Sequence, residues 1–103
     1  MKEEEAATVF QALSNADRLR IIRILVASGP EGLSATEIAE KVGASPSRTS
    51  FHLAGLTEAG LIQRERRSRS LIYTVDFVRL GGLVTFLLDD CCNKSPKLRA
   101  CCS

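Results

Sequence analysis

The chain has 103 residues, 45% of them hydrophobic and 25% charged, with a formal net charge of +2. These values describe one small folded domain with a modest core, and its leftover apolar surface is most simply covered by a second copy of the chain. No apolar run approaches the ~20 residues that span a membrane, and the acidic start, MKEEEAATVF, lacks the apolar stretch of a signal peptide. The expected compartment is therefore the cytoplasm, where thiols stay reduced.

Residues 3–13 predict a first helix, with Ala6, Val9, Phe10 and Leu13 along one face. Ser14-Asn15 breaks and recaps the chain. Residues 16–27 predict a second helix, with Leu19, Ile22, Leu25 and Val26 inward, Ile21 and Ile24 widening that stripe, and Arg18, Arg20 and Arg23 on other faces. SGPEG at residues 28–32 is a loop. Ser34 with Glu37 three residues on forms a capping box for a third helix, whose Ile38 and Val42 face the core. Gly43 suits the left-handed residue that ends a helix. Ser45, followed by Pro46, caps a fourth helix that runs to about Glu58, with Thr49, Leu53 and Leu56 on its inner face. The period then changes from helix to strand. LIQRER and SLIYTV, joined by a short turn, predict a β-hairpin, although the turn lacks the usual glycine. Asp76 caps a fifth helix to about Asp90, and Gly81-Gly82 within it leaves room for close helix–helix approach. The expected fold is mainly α with one β-hairpin: four helices, two strands and a final helix.

A short helix, a turn at Gly43 and a helix opening on small polar residues make a helix-turn-helix, and the basic hairpin makes it winged. In such a motif the second helix enters the major groove and its first residues meet base edges. The candidates on that helix are Ser45, Ser47, Arg48 and Ser50, with Arg48 long enough to reach a guanine edge or a phosphate. Four arginines fall within six residues on the hairpin, and Arg64, Arg66, Arg67 and Arg69 are candidates for gripping the DNA backbone. Phe51 fits the core better than base stacking. His52, the only histidine, fits a hydrogen-bonded structural role first and a phosphate contact second. No nucleophile elbow, Walker loop or carboxylate-rich metal motif points to an enzyme.

With these segments in hand, LSNADRLRIIRIL, LSATEIAEKVGASPSRTSFHLAGLTEAGLI and RERRSRSLIYTV together resemble the ArsR/SmtB family of winged-helix metalloregulatory repressors. The resemblance implies operator DNA as partner, a homodimer joined through the first and last helices, and control of genes that handle a toxic metal or metalloid. Two departures narrow the sensing chemistry. Many arsenic sensors of the family carry Cys-x-Cys on the helix that begins the DNA motif, where this chain has SATEIAEKV. Zinc sensors of the family use Asp and His from the last helix, where this chain offers Asp76, Asp89 and Asp90 but no histidine.

All four cysteines lie in the final segment, as adjacent pairs Cys91-Cys92 and Cys101-Cys102. Soft thiolates select soft ions. Zinc sites usually space their cysteines C-x₂₋₄-C, so adjacent pairs disfavour zinc. Trivalent arsenic takes three sulfurs in a trigonal pyramid, which suits a vicinal pair plus one thiol from further along. The resemblance makes As(III) the first candidate inducer, with Sb(III) sharing its geometry. The expected ligands are Cys91, Cys92 and Cys102, with Cys101 as the alternative third. This divides the chain into a DNA-binding and dimerisation domain at residues 1–90 and a cysteine-bearing tail at residues 91–103. Two rivals stand beside this reading. One is a thiol-redox repressor, since Lys94, Lys97 and Arg99 lie close in sequence to the thiols. The other is a metalloid-binding or dithiol protein with no DNA role.

Overall fold

A computed structural model describes residues 1–91 and 97. Its elements are α1 (Glu3–Leu13), α2 (Ala16–Ser28), a 3₁₀ turn (Gly29–Glu31), β1 (Leu33–Ser34), α3 (Ala35–Val42), α4 (Pro46–Glu58), β2 (Ile62–Arg67), β3 (Ser70–Val75) and α5 (Phe77–Thr85), with wider π-type turns over Phe86–Cys91. The three strands form one antiparallel sheet in the order β1-β3-β2. This is a winged helix-turn-helix, as expected. Apart from residue 97, the cysteine-bearing segment beyond residue 91 lies outside the described residues. No helix among the described residues is long and apolar enough to cross a membrane.

Polar caps place the helix starts. The Asn15 side chain accepts the backbone N–H groups of Asp17 and Arg18 and starts α2. Ser34 and Glu37 form the reciprocal capping box of α3. Ser45 accepts the Arg48 N–H ahead of Pro46 and starts α4. Asp76 accepts the Arg79 N–H and starts α5. Each cap satisfies backbone donors that a helix start leaves orphaned. Gly43 ends α3 in the left-handed region, at φ 69°.

The core gathers Ala6, Val9 and Ala12 of α1, Ile21, Ile22 and Leu25 of α2, Ile38, Leu53, Leu56, Leu61, Ile62, Tyr73, Val75 and Leu83. Two helices sit at a different rotation from the one their apolar residues suggest. In α2, Leu19 and Val26 are exposed, and the inward stripe is Arg18, Ile21, Ile22 and Leu25. The stripe has the i, i+3, i+4, i+7 spacing of a buried helix face, but its first member is a cation. In α1, Phe10 is exposed, Leu13 is half-buried and Ala12 takes the inner place. Small side chains there let α1 lie close to its neighbours. Val42 is half-buried at the edge of the core.

The sheet adds two features to the expected hairpin. β1 pairs with β3 through Leu33↔Tyr73 and Ser34↔Ile72, so the segment before α3 is partly strand. Gly32, at φ 66°, enters this strand so tightly that a Cβ would lie 2.4 Å from the Tyr73 carbonyl oxygen. The hairpin closes through Arg67↔Ser70 with a two-residue loop, Ser68-Arg69. Ser68 holds φ 57°, the positive value at the first loop position that glycine usually supplies.

Large apolar side chains remain on the outside of the first and last helices. Phe10, Phe77, Val84 and Leu87 are exposed, and Val78 is 88% exposed. Gly81 faces open space within the chain, and a Cβ at Gly82 would meet only Met1 at an ordinary distance. The glycine pair therefore does not serve a tight contact among the described residues. Glu5 and Arg79 form an ion pair linking α1 to α5.

Two measurements test this account. Gly32→Ala adds a Cβ to a positive-φ residue with no room for it, and is expected to lower the melting temperature by at least ~5 °C. Gly43→Ala shares the φ penalty but meets nothing within 4 Å, so it should melt at a higher temperature than Gly32→Ala. Glu37 is held below the usual carboxylate range, first by the Ser34 backbone N–H and then by the Ser34 hydroxyl. A lowered carboxyl pKa stabilises the fold fully above the unfolded value and loses that effect as pH falls through the folded value. The melting-temperature gap between the wild type and Glu37→Ala should therefore be widest near neutrality and close in acid.

Candidate nucleic-acid interface

α4 divides into two faces because its buried residues recur at helical spacing. Thr49, His52, Leu53 and Leu56 point inward. Ser47, Arg48, Ser50 and Phe51 therefore stand on the outside, and all four are exposed. Ser45 is also exposed, with its hydroxyl oxygen committed to the helix cap. Phe51 is 60% exposed, which corrects its expected place in the core. The inner face is already filled by the 49/52/53/56 stripe, and residue 51 falls between its rows. The Phe51 ring meets His52 edge-on, with centroids 5.6 Å apart.

His52 is buried and hydrogen-bonded. Its Nδ1 accepts the Arg18 Nε–H at 3.1 Å, and its Nε2 lies 3.5 Å from an Asp17 carboxylate oxygen. An accepting Nδ1 places the ring proton of the neutral imidazole on Nε2, facing the carboxylate. Its structural part is to hold α2 against α4.

Arg18 does most of that holding. Besides His52, it donates to the Ala12 carbonyl oxygen at the end of α1, at 3.2 Å. Its guanidinium carbon lies 5.7 Å from the Phe51 ring centroid. It crosses α4 at Gly55, where a Cβ would come within 2.6 Å of the guanidinium. Next to it, Asp17 is bonded to Arg20 at 2.9 Å and to Arg48 Nε at 3.0 Å. Arg48 is thus tethered at the base of its guanidinium while its side chain stays 54% exposed. Arg18 is expected from the sequence on an outer face with Arg20 and Arg23, whereas it heads the inward stripe; Asp17 and Gly55 carry no sequence signal of their own. The available signal was that Arg18 leads an otherwise apolar i, i+3, i+4, i+7 stripe.

On the wing the four arginines separate. Residues 62, 64 and 66 share one face of β2, by strand alternation. Arg64 lines a cleft of about 470 Å³ with Ser50, Ala54, Thr57, Glu58 and Tyr73, so it lies beside the outer face of α4. Arg66 is exposed on the strand and Arg69 at the loop. Neither forms an ion pair among the described residues. Arg67 is different. It donates to the carbonyl oxygens of Glu31 and Pro30, at 2.8 and 2.9 Å, and to the Glu65 carboxylate. Its fork pins the wing to the turn that follows α2. Ser47, Arg48, Ser50 and Phe51 thus gather on α4 with Arg64 at their flank, whereas His52 and Arg67 are engaged within the protein. Cys91 closes the last helical turn. Cys92, Cys101 and Cys102 lie outside the described residues.

A helix-turn-helix domain family matches residues 13–65, the stretch from the end of α1 to the middle of β2. The transcriptional regulator YgaV of Escherichia coli is 34% identical over 89 residues, covering 86% of this chain and 88% of that one. An ArsR-like transcriptional regulator from a Rhodococcus species superposes with a TM-score of 0.77 at 27% identity, covering 94% of this chain and 89% of that one. The winged helix-turn-helix domain of Mb0332 from Mycobacterium bovis, a homodimer described as a possible ArsR-family regulator, superposes at 0.66 with 30% identity, covering 84% and 81%. These are DNA-binding regulators rather than enzymes. With its helix-turn-helix, its wing and these relatives, the chain belongs to the ArsR family of winged-helix transcriptional regulators.

Proposed function

We propose that the protein is a homodimeric repressor that leaves its operator when As(III) binds the C-terminal cysteines. The observation that carries the DNA part is the exposed cluster of Ser47, Arg48, Ser50 and Phe51 on the first turns of α4, with Arg64 beside it. Small hydroxyls let the helix start approach the major groove, and its positive dipole end favours phosphate. Arg64, Arg66 and Arg69 supply backbone contacts, while Arg67 sets the wing's attitude. The dimer forms through α1, α5 and the turns that follow it, whose Phe10, Phe77, Val78, Val84 and Leu87 are exposed and whose Gly81 has open space beside it. A second copy covers this surface and sets two α4 helices about one DNA turn apart, roughly 34–36 Å.

The inducer reading rests on the donor set. Among the described residues, no three His, Cys, Asp or Glu side chains form a metal-ligating group. Thiophilic capture falls to Cys91, Cys92 and Cys102, or Cys101 in place of Cys102. Cys91 ends the helix that carries the proposed dimer surface, so drawing a later thiol to it changes how that surface packs. A coupling of ~1–3 kcal/mol is typical for such control. Sb(III) satisfies the same three-sulfur demand, and adjacent thiols disfavour zinc.

Cys91→Ser and Cys92→Ser are each expected to bind the operator normally in a mobility-shift titration and to resist release by As(III). One of Cys101→Ser and Cys102→Ser should resist likewise, and X-ray absorption should count three sulfurs. Release by diamide without metalloid, reversed by dithiothreitol, would replace this reading with the thiol-redox repressor. Release of a chain lacking residues 93–103 would exclude a three-thiol site.

The wing gives a separate test. Arg66→Ala and Arg69→Ala should each weaken binding to any duplex and flatten its salt dependence by a slope of ~0.9 per lost phosphate contact. Arg67→Ala should instead lower the melting temperature, because it removes the tie to Pro30 and Glu31. If Arg66→Ala and Arg69→Ala both keep the parent salt slope, the wing does not meet the phosphates.

A further inference from the structure

We infer that Asp17, which lies on α2 and not on the α3–α4 pair, is the specificity-determining positioning residue of the DNA interface, acting by aiming the Arg48 guanidinium. This rests on the reading that α4 meets base edges. Arg48 occupies the first turn of α4, and its Nε is bonded to Asp17 Oδ2 at 3.0 Å. A guanidinium is a rigid plane with five N–H donors. Held by a carboxylate at Nε, it keeps free N–H donors at the far end of the plane. A fork of two parallel N–H groups is the donor pattern that pairs with guanine O6 and N7. The tether therefore leaves the recognition end available and limits the swing of a long, exposed side chain.

The anchor is itself fixed. The Asp17 backbone N–H is held by the Asn15 cap at 2.9 Å. Its Oδ1 takes Arg20 at 2.9 Å, and its Oδ2 also faces His52 Nε2. His52 is in turn held by Arg18. Asp17 is only 15% exposed in its side chain, so the carboxylate sits behind Arg48. The charges point the same way. A carboxylate at this place repels phosphate and partly neutralises Arg48, which weakens Arg48 as a general backbone grip. What remains favourable is a directed contact to a base edge. Asp17 thereby turns a flexible cation into a reader at one position of the operator.

The test uses the full-length chain. A preferred site is first selected from a random duplex library with the wild type. Wild type, Asp17→Asn, Arg48→Ala and the double variant are then titrated on that site and on a scrambled duplex of equal length at one salt concentration. Asp17→Asn is expected to lose about tenfold on the selected site while keeping or gaining affinity for the scrambled duplex. In the Arg48→Ala background, Asp17→Asn should change the selected-to-scrambled ratio by no more than about twofold. Asp17→Glu keeps the charge but displaces the guanidinium, so it should lose the ratio too, and it serves if Asp17→Asn does not fold. The inference is overturned if folded Asp17→Asn or Asp17→Glu keeps the wild-type ratio. It is also overturned if Asp17→Asn costs as much without Arg48 as with it. A wild type that selects no sequence sinks the base-reading account itself. A wild type and an Asp17→Asn that select equally well sink only the role of Asp17.

Discussion

The arrangement of the candidate DNA interface depends on one partly buried cation. Arg18 stands where the pattern of α2 calls for an apolar side chain, at the head of the stripe completed by Ile21, Ile22 and Leu25. A charge in such a place is costly unless its donors are satisfied. Arg18 meets that demand by bonding the end of α1 at Ala12 and the inner face of α4 at His52. Any rotation of α4 about its axis would break the His52 bond and leave the Arg18 Nε–H without its acceptor. The requirement therefore works as a lock. It fixes which residues of α4 face outward, and it brings Asp17, the neighbour of Arg18, against Arg48.

A second tie sets the wing, and it is made of backbone. Arg67 holds the carbonyl oxygens of Pro30 and Glu31, while β1 pairs with β3 just beyond the tight entry at Gly32. The hairpin is thus anchored to the end of α2, the helix whose beginning holds α4. One helix carries both attachments, roughly at its two ends. The helix α4 and the wing keep their relative position through α2, with the two-stranded hairpin itself left to carry exposed arginines.

Much of this was legible in the sequence because capping chemistry is local. Asn15, Ser34 with Glu37, Ser45 with Pro46, and Asp76 each announce a helix start through side chains that bond the backbone within three residues. The hairpin was visible from its change of period, and the 49/53/56 stripe of α4 from its spacing. What was not visible depended on partners distant in sequence. The rotation of α2 is missed when only apolar residues are counted, because the stripe then starts at Leu19 instead of Arg18. The outward Phe51 follows from that same packing. β1 is two residues long and exists only through its pairing with β3. Arg66 and Arg67 are adjacent and chemically identical, and only the neighbouring carbonyls of Pro30 and Glu31 give them different work. At the candidate interface, the serines and Arg48 were legible as the start of a helix, whereas the carboxylate behind Arg48 belongs to another helix.

The crossing of Arg18 over Gly55 restricts the order in which the protein can change. Alanine is favoured over glycine inside a helix by about 1 kcal/mol, so α4 taken alone would gain from Gly55→Ala. The methyl group would enter space that the guanidinium occupies and strain its bonds to Ala12 and His52. A shorter side chain at position 18 would remove the obstacle, but it would release His52 and α1. A shorter side chain at position 18 thus relieves the crowding of Gly55→Ala, while the bonds to His52 and Ala12 stay lost. The cost of a side chain at position 55 therefore depends on what stands at position 18, and the two substitutions are expected to be non-additive.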